Sequence, residues 1–163
     1  MGPAGSGKST VGTALAASLG WRFLDADTLH SAENVARIRR GDALSDKERA
    51  PWLRAVADEI AHASAGRTPL VVACSALRKR YRQTLRPRGE SSKTVRFVYL
   101  EVSAAELARR LETRTSHFAT AGILPTQLSV WEEPDSDEPD SVRVDGEQPP
   151  AEVIGAIRRT LRV

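Results

Sequence analysis

GPAGSGKS, residues 2–9, is the stretch on which the reading of the fold turns. It matches the pattern G-x-x-x-x-G-K-[ST], in which glycines let a loop curl until successive backbone N–H groups point inward at phosphate oxygens. Gly2, Gly5, Ser6 and Gly7 supply the loop, and the helix behind it adds its positive N-terminal end. In such a loop Lys8 reaches the β- and γ-phosphates of a nucleoside triphosphate and Ser9 ligates Mg²⁺, with Thr10 completing the nucleotide-binding run. A flexible Gly/Ser tail could imitate the pattern. Here, however, an amphipathic segment follows directly, with Val11, Leu15 and Leu19 four apart and Gly20 as its stop.

A loop of this kind normally follows a buried strand that is central in its sheet. Only Met1 precedes Gly2. Without that strand, backbone groups on both neighbouring strands would stay unpaired, each at a cost. The expectation is that Met1 is the last residue of the strand and that the reading frame continues upstream.

Further along, apolar runs alternate with amphipathic segments, the pattern of an α/β protein with a parallel sheet. WRFLDAD (21–27) reads as a short strand ending in two acids, followed by a helix over 28–40 that stops at Gly41. Ser45 and Glu48 have capping-box spacing, Pro51 suits a first helical turn, and Trp52, Val56 and Ile60 line one face of a helix to about 64. PLVVACS (69–75) reads as a buried strand, 78–86 as a basic helix, and TVRFVYLEV (94–102) as the next strand. Ser103 and Glu106 repeat the capping box and open a helix to about 115. Residues 116–141, with Gly122, Pro125, Pro134 and Pro139 among acids, read as a mobile lid with a short helical piece near 126–132. SVRVD (141–145) is the last strand, and Val153, Ile154, Ile157 and Leu161 are the core stripe of a C-terminal helix. The whole of 1–163 is expected to be one kinase domain.

Composition narrows the choice of partners. A net charge of +3 is too mild for a nucleic-acid surface and suits small anionic ligands. No apolar run approaches the roughly 20 residues that a membrane span needs. One cysteine, Cys74, rules out an internal disulfide and fits a reducing compartment, and with no signal peptide ahead of the loop the expected location is cytoplasmic.

The acceptor side begins at Asp25 and Asp27. At the end of a strand they are expected to share a face through side-chain alternation, in the crevice at the carboxyl ends of the strands where open α/β sheets bind ligands. One can support Mg²⁺, while the other orients an acceptor hydroxyl and takes its proton. A turn and helix cap is the plainer explanation of either alone. His30, taken alone, reads as a surface residue. Arg49, Arg78, Lys79, Arg80 and Arg82 lie near strand ends or helix starts, where guanidinium groups grip carboxylates and phosphates. For Arg80 and Arg86 a solvated basic face is the preferred reading.

DADTLHSAENV (25–35), GDALSDKERAPWL (41–53), CSALRKRYRQTLR (74–86), RTSHFATAGILPTQ (114–127) and EEPDSDEPDSVRVD (132–145) together resemble the gluconokinase family of P-loop sugar-acid kinases, over nearly the whole chain. The resemblance implies a three-layer nucleoside-kinase-like fold with sheet order 2-3-1-4-5, its first strand absent from this chain. It also implies ATP and Mg²⁺, often a homodimer, and phosphorylation of D-gluconate to 6-phospho-D-gluconate. It gives Lys8 and the glycine loop to ATP, Ser9 and Asp25 to Mg²⁺, and Asp27 to the acceptor hydroxyl as base. His30, Arg49, Arg78, Arg82 and His117 match the substrate-binding side, with Phe118 and Gln127 in the same flap as His117. Arg110 and Arg114 resemble lid arginines that neutralise the transferring phosphoryl group. Gln148 and Pro149 match the adenine side.

Shikimate kinases of this fold carry a triple-glycine loop where this chain has Ser75, Ala76 and Leu77. The family's glycine is Ala26 here, adding a methyl near the acid pair, and its proline is Ser31, which is expected to loosen the turn after His30. The rival readings are a kinase for another aldonate or for shikimate, and a nucleotide-binding module without catalysis. The acid pair argues against the last, because a module that only binds nucleotide needs no acceptor pocket.

Overall fold

Four short apolar runs become strands, each pairing in parallel with one neighbour: β1 (Arg22–Asp25) with β2 (Leu70–Ala73), and β3 (Phe97–Glu101) with β4 (Ser141–Asp145). The registers run from Arg22 opposite Leu70 to Asp25 opposite Ala73, and from Phe97 opposite Ser141 to Glu101 opposite Asp145. The computed structural model describes residues 1–87, 94–113 and 121–163. Between the two pairs stands Met1. Its nitrogen donates to Val98 O, its carbonyl accepts from Leu100 N at 3.0 Å, and Gly2 N donates to Ser75 O at 3.2 Å. That is a parallel-ladder pattern on the β3 side with a single tie to the end of β2. The order β1-β2, Met1, β3-β4 is therefore the expected 2-3-1-4-5, with Met1 in the place of the central strand.

Strand alternation divides the core into two layers. On one face Val71, Val98 and Leu100 meet Val11 and Leu15 of α1 (Lys8–Leu19) and Val153 and Ile157 of α7 (Pro150–Leu161). On the other, Val72 and Phe97 meet Trp52, Leu53 and Val56 of α3 (Asp46–Ala65) and Tyr81 and Leu85 of α4 (Lys79–Leu85). A third cluster forms around the phosphate loop. It joins Ala4 to Ile38 of α2 (Ala32–Arg39), Leu107 and Leu111 of α5 (Ala104–Glu112) and Leu124 of α6 (Leu124–Ser129). Each fully buried aliphatic side chain contributes about 1.5–3 kcal/mol. The three clusters hold the loop against both the sheet and the lid side.

Several local expectations shift. The helix expected from 28 starts at Ala32, because residues 26–29 form a 3₁₀ turn and Ser31 caps α2, its Oγ accepting Asn34 N–H at 3.2 Å. Ser31 thus tightens rather than loosens the segment after His30. The Ser45–Glu48 capping box is complete, whereas Pro51 falls inside α3 beyond its first turn, where its missing N–H costs the helix one bond. At Ser103 only half a box forms: its Oγ accepts Glu106 N–H at 3.3 Å, but the Glu106 carboxylate turns to Arg109 and Arg110 while Glu147 takes Ser103 N–H at 2.8 Å. The short helix of the lid side spans Leu124–Ser129, two residues earlier than expected, after a 3₁₀ turn at 121–123.

Candidate active site

The phosphate loop takes its shape from backbone conformations that L-residues avoid. Gly5 sits at φ +85°, and a Cβ there would lie 3.0 Å from Leu107 O and 3.2 Å from Leu111 Cγ, so only glycine lets the loop settle onto α5. Gly2 and Gly7 are also at positive φ, and Gly7 is the N-cap of α1. Lys8 Nζ donates to Pro3 O at 2.7 Å, which folds its side chain back across the loop. Ala4 N–H is taken by Gln127 Oε1 at 2.6 Å, tying α6 to the loop.

β1 delivers the first acid. Asp25 ends the strand and caps the 3₁₀ turn, its Oδ1 accepting Asp27 N–H at 3.1 Å. Its other oxygen accepts from Ser9 Oγ at 2.7 Å. Asp27 thus reaches the cleft through an aspartate-capped turn and not through strand alternation, as the sequence had suggested. Asp25, Asp27, Lys8, Ser9 and Thr10 line one cleft together with Gly5 and Gly7.

His30, Arg49 and Arg110 close the same cleft. The imidazole of His30 stacks on Trp52, with centroids 4.4 Å apart and planes 10° from parallel. Its Nδ1 is buried without a hydrogen-bond partner among the described residues, and burial, helped by the Arg49 charge, pushes its pKa down to about 4, so the ring is neutral at pH 7. Arg49 donates through Nε to Leu44 O at 3.2 Å and lies over Tyr81 at 5.8 Å. Among the described residues no acceptor holds its two terminal nitrogens. Arg110 is held by Glu106 Oε1 at 2.7 Å and Gly146 O at 3.0 Å. Hydrogen bonds from Arg109 and Arg110 draw the Glu106 carboxyl down to about 2, so it stays a fixed anion behind Arg110.

Other expected site residues lie elsewhere. Arg82 is fully buried: Nε and Nη2 grip Glu138 at 2.9 and 2.5 Å, and Nη1 donates to Ala76 O and Glu132 O. With every arm taken it cannot bind substrate, and that assignment is corrected. The Arg82 hydrogen bonds in turn hold the Glu138 carboxyl below its usual range. Arg86, expected on a solvated face, pairs with Glu138 and Asp140, and Lys79 pairs with Asp135. Residues 132–140, expected to belong to a mobile lid, are therefore fastened to α4. Arg78 faces Asp46 at 3.6 Å and does not line the cleft, while Arg80 pairs with Asp46 as an exposed residue should. Gln148, bonded to Asp145 at 2.8 Å, and Pro149, at the start of α7, stand outside it. Gly2 and Ser6 shape the loop from beneath, Ser6 being 1% exposed. Arg114, His117 and Phe118 lie outside the described residues.

Trp52 and Gln127, which also line the cleft, were given no role in binding or catalysis from the sequence. Trp52 was legible only as one position on an apolar helix face, and Gln127 only as part of a flap. Nothing local to either marks it, since their partners Ala26 and Ala4 are distant in sequence.

The family model described as shikimate kinase matches residues 4–161. A gluconokinase of Gluconobacter oxydans is 42% identical over 98% of this chain and 87% of its own length. The crystal structure of a gluconokinase from Sinorhizobium meliloti superposes with a TM-score of 0.81 at 39% identity, covering 99% of this chain and 93% of that one. An unliganded sugar kinase from a Janibacter species reaches a TM-score of 0.90 at 35% identity, over 100% and 92% of the two chains.

Proposed function

The chain belongs to the shikimate kinase family and, within it, with the gluconokinases, and on that premise we propose that it transfers the γ-phosphoryl group of ATP to the terminal hydroxyl of D-gluconate, giving 6-phospho-D-gluconate. The observation that carries this reading is the meeting, in one cleft, of Lys8 and Ser9 with Asp27, His30 and Arg49. A phosphate cradle faces a wall able to receive a polyhydroxy acid.

The loop amides and Lys8 hold the triphosphate. Asp27 orients the attacking hydroxyl and accepts its proton, which leaves as the new oxygen–phosphorus bond forms and the bond to ADP breaks. Arg110, braced from behind by Glu106, offsets charge on the moving phosphoryl group. At the far end Arg49 meets the carboxylate with its two terminal nitrogens. His30, neutral and with an open Nδ1, offers hydrogen bonding to a substrate hydroxyl. The Ser9 hydroxyl and Asp25 carboxylate, 2.7 Å apart beside the loop, are an all-oxygen pair that suits Mg²⁺. An Mg²⁺ held by these two groups would supply positive charge to offset that of the phosphates. Ser75, Ala76 and Leu77 support an aldonate over shikimate: Ala76 and Leu77 are turned into the core, 1% and 0% exposed, where shikimate kinases carry three glycines.

The test is ADP release with MgATP and a panel of D-gluconate, other aldonates and shikimate, with Lys8→Ala as the blank. Turnover is expected with gluconate and lost in Lys8→Ala. A folded protein silent with every aldonate overturns the reading, as does full activity in Lys8→Ala.

A further inference from the structure

A single indole touches both halves of the acceptor wall. Trp52 is 3% exposed, so it counts as core, yet it also lines the cleft. Its Nε1–H donates to Ala26 O at 2.7 Å, on the main chain between Asp25 and Asp27. Its ring lies flat on the imidazole of His30. We infer that Trp52 is a positioning residue: it pins the turn that carries Asp27 and fixes the plane of His30, and so sets the acceptor against the phosphate cradle. The inference rests on the acceptor entering between Asp27, His30 and Arg49, as proposed above.

Hydrophobic burial alone does not require this side chain. Leu53 and Val56 already fill the same core cluster, and an aliphatic residue would satisfy the apolar face of α3. A buried indole also needs an acceptor for its N–H, and here that acceptor belongs to the turn. Other ties are local to the turn: Asp27 N–H donates to Asp25 Oδ1 at 3.1 Å, His30 N–H to Asp27 O at 3.3 Å and the Thr28 hydroxyl to Asp25 O at 2.7 Å. The Trp52 bond is as short as the shortest of these, and it alone anchors the Ala26 carbonyl from a separate element, α3. Stacking fixes the plane in which the imidazole of His30 presents its nitrogens. Arg49 lies three residues before Trp52 on the same helix, so both share a face. One rigid helix thereby places the carboxylate grip, the imidazole and the acid-bearing turn together.

Trp52→Phe keeps a stacking ring and loses the bond to Ala26. It is expected to lower kcat about tenfold, with KM for gluconate and MgATP within about threefold. Trp52→Leu loses both contacts and is expected also to raise KM for gluconate about tenfold, still sparing MgATP. In a His30→Ala background the step from Phe to Leu at position 52 should no longer raise that KM. Uniform losses that track the melted fraction, with both KM values moving together, would make Trp52 merely structural and overturn the inference. So would a KM for gluconate equal in the Phe and Leu variants. A readout without acceptor separates the two proposals: the His30 titration followed by NMR in Trp52→Leu should move up towards 6.5, its ordinary value. If no aldonate is turned over, the function fails, and this titration still judges Trp52; an unmoved titration refutes its role.

Discussion

Replacing Arg49 by leucine removes the one guanidinium in the cleft whose terminal nitrogens are held by no protein acceptor among the described residues. The side chain is half-buried and already aimed, by Leu44 O at 3.2 Å and by the Tyr81 ring, so little ordering cost remains when a carboxylate binds. Each charged hydrogen bond contributes about 1.5–3 kcal/mol. At the low end, suited to an open cleft, two bonds sum to about 3 kcal/mol, or roughly a hundredfold in affinity. The carboxylate of gluconate is at the opposite end from the reacting hydroxyl, so ground state and transition state feel the loss equally. The expected result for Arg49→Leu is a gluconate KM raised about a hundredfold, with kcat within about threefold. Arg49→Lys keeps charge but loses the fork and the Leu44 bond, and should lie near tenfold. The assay is ADP release at saturating MgATP with gluconate varied, and with sorbitol, the same carbon chain lacking the carboxylate, in parallel. Preference for gluconate over sorbitol should fall by the same factor in Arg49→Leu. A gluconate KM within threefold of wild type, in a protein with unchanged melting, refutes the assignment.

Asp27→Asn keeps the shape of the acid and removes its charge; kcat should fall at least about a hundredfold while MgATP binding, measured by calorimetry, is preserved. Arg82→Leu leaves the buried Glu138 carboxylate with Arg86 alone and should cost about 3 kcal/mol in urea unfolding, whereas Arg82→Met with Glu138→Met should recover most of it, Arg86 keeping Asp140. Recovery of no stability in the pair would mean the ion pair is not what holds 132–140. His30 titrates at about 4 folded against 6.5 unfolded, so its contribution is complete above 6.5 and is lost as pH falls towards 4, where the curve levels. Urea midpoints from pH 7.5 to 4 should show this slope, and His30→Gln should flatten it.

The cradle, the helices and the strands were legible because their causes are local. Gly5 and Gly7 before Lys8 encode a loop, four-residue apolar spacing encodes α1, and Ser45 with Glu48 encodes the start of α3. The beginning of α2 was misplaced because Asp25 caps a 3₁₀ turn that shares its residue types with a helix start. The family pattern brought Asp27, His30, Arg49 and Arg110 into consideration, and the cleft gathers all four.

By itself the sequence determined the fold class, the phosphate-loop motif and the residue types that the cleft gathers, since those follow from motif, period and residue identity. Only the tertiary structure decided which arginines face the cleft. Arg49 and Arg82 look alike in sequence, yet Glu138, fifty-six positions beyond Arg82, takes one guanidinium into the core, while among the described residues no such partner reaches the other. The same holds for Trp52, whose partner Ala26 is twenty-six residues earlier. The physical reason is that a buried charge or indole N–H takes whatever partner the fold brings within about 3 Å, and that distance is not a property of any stretch of chain.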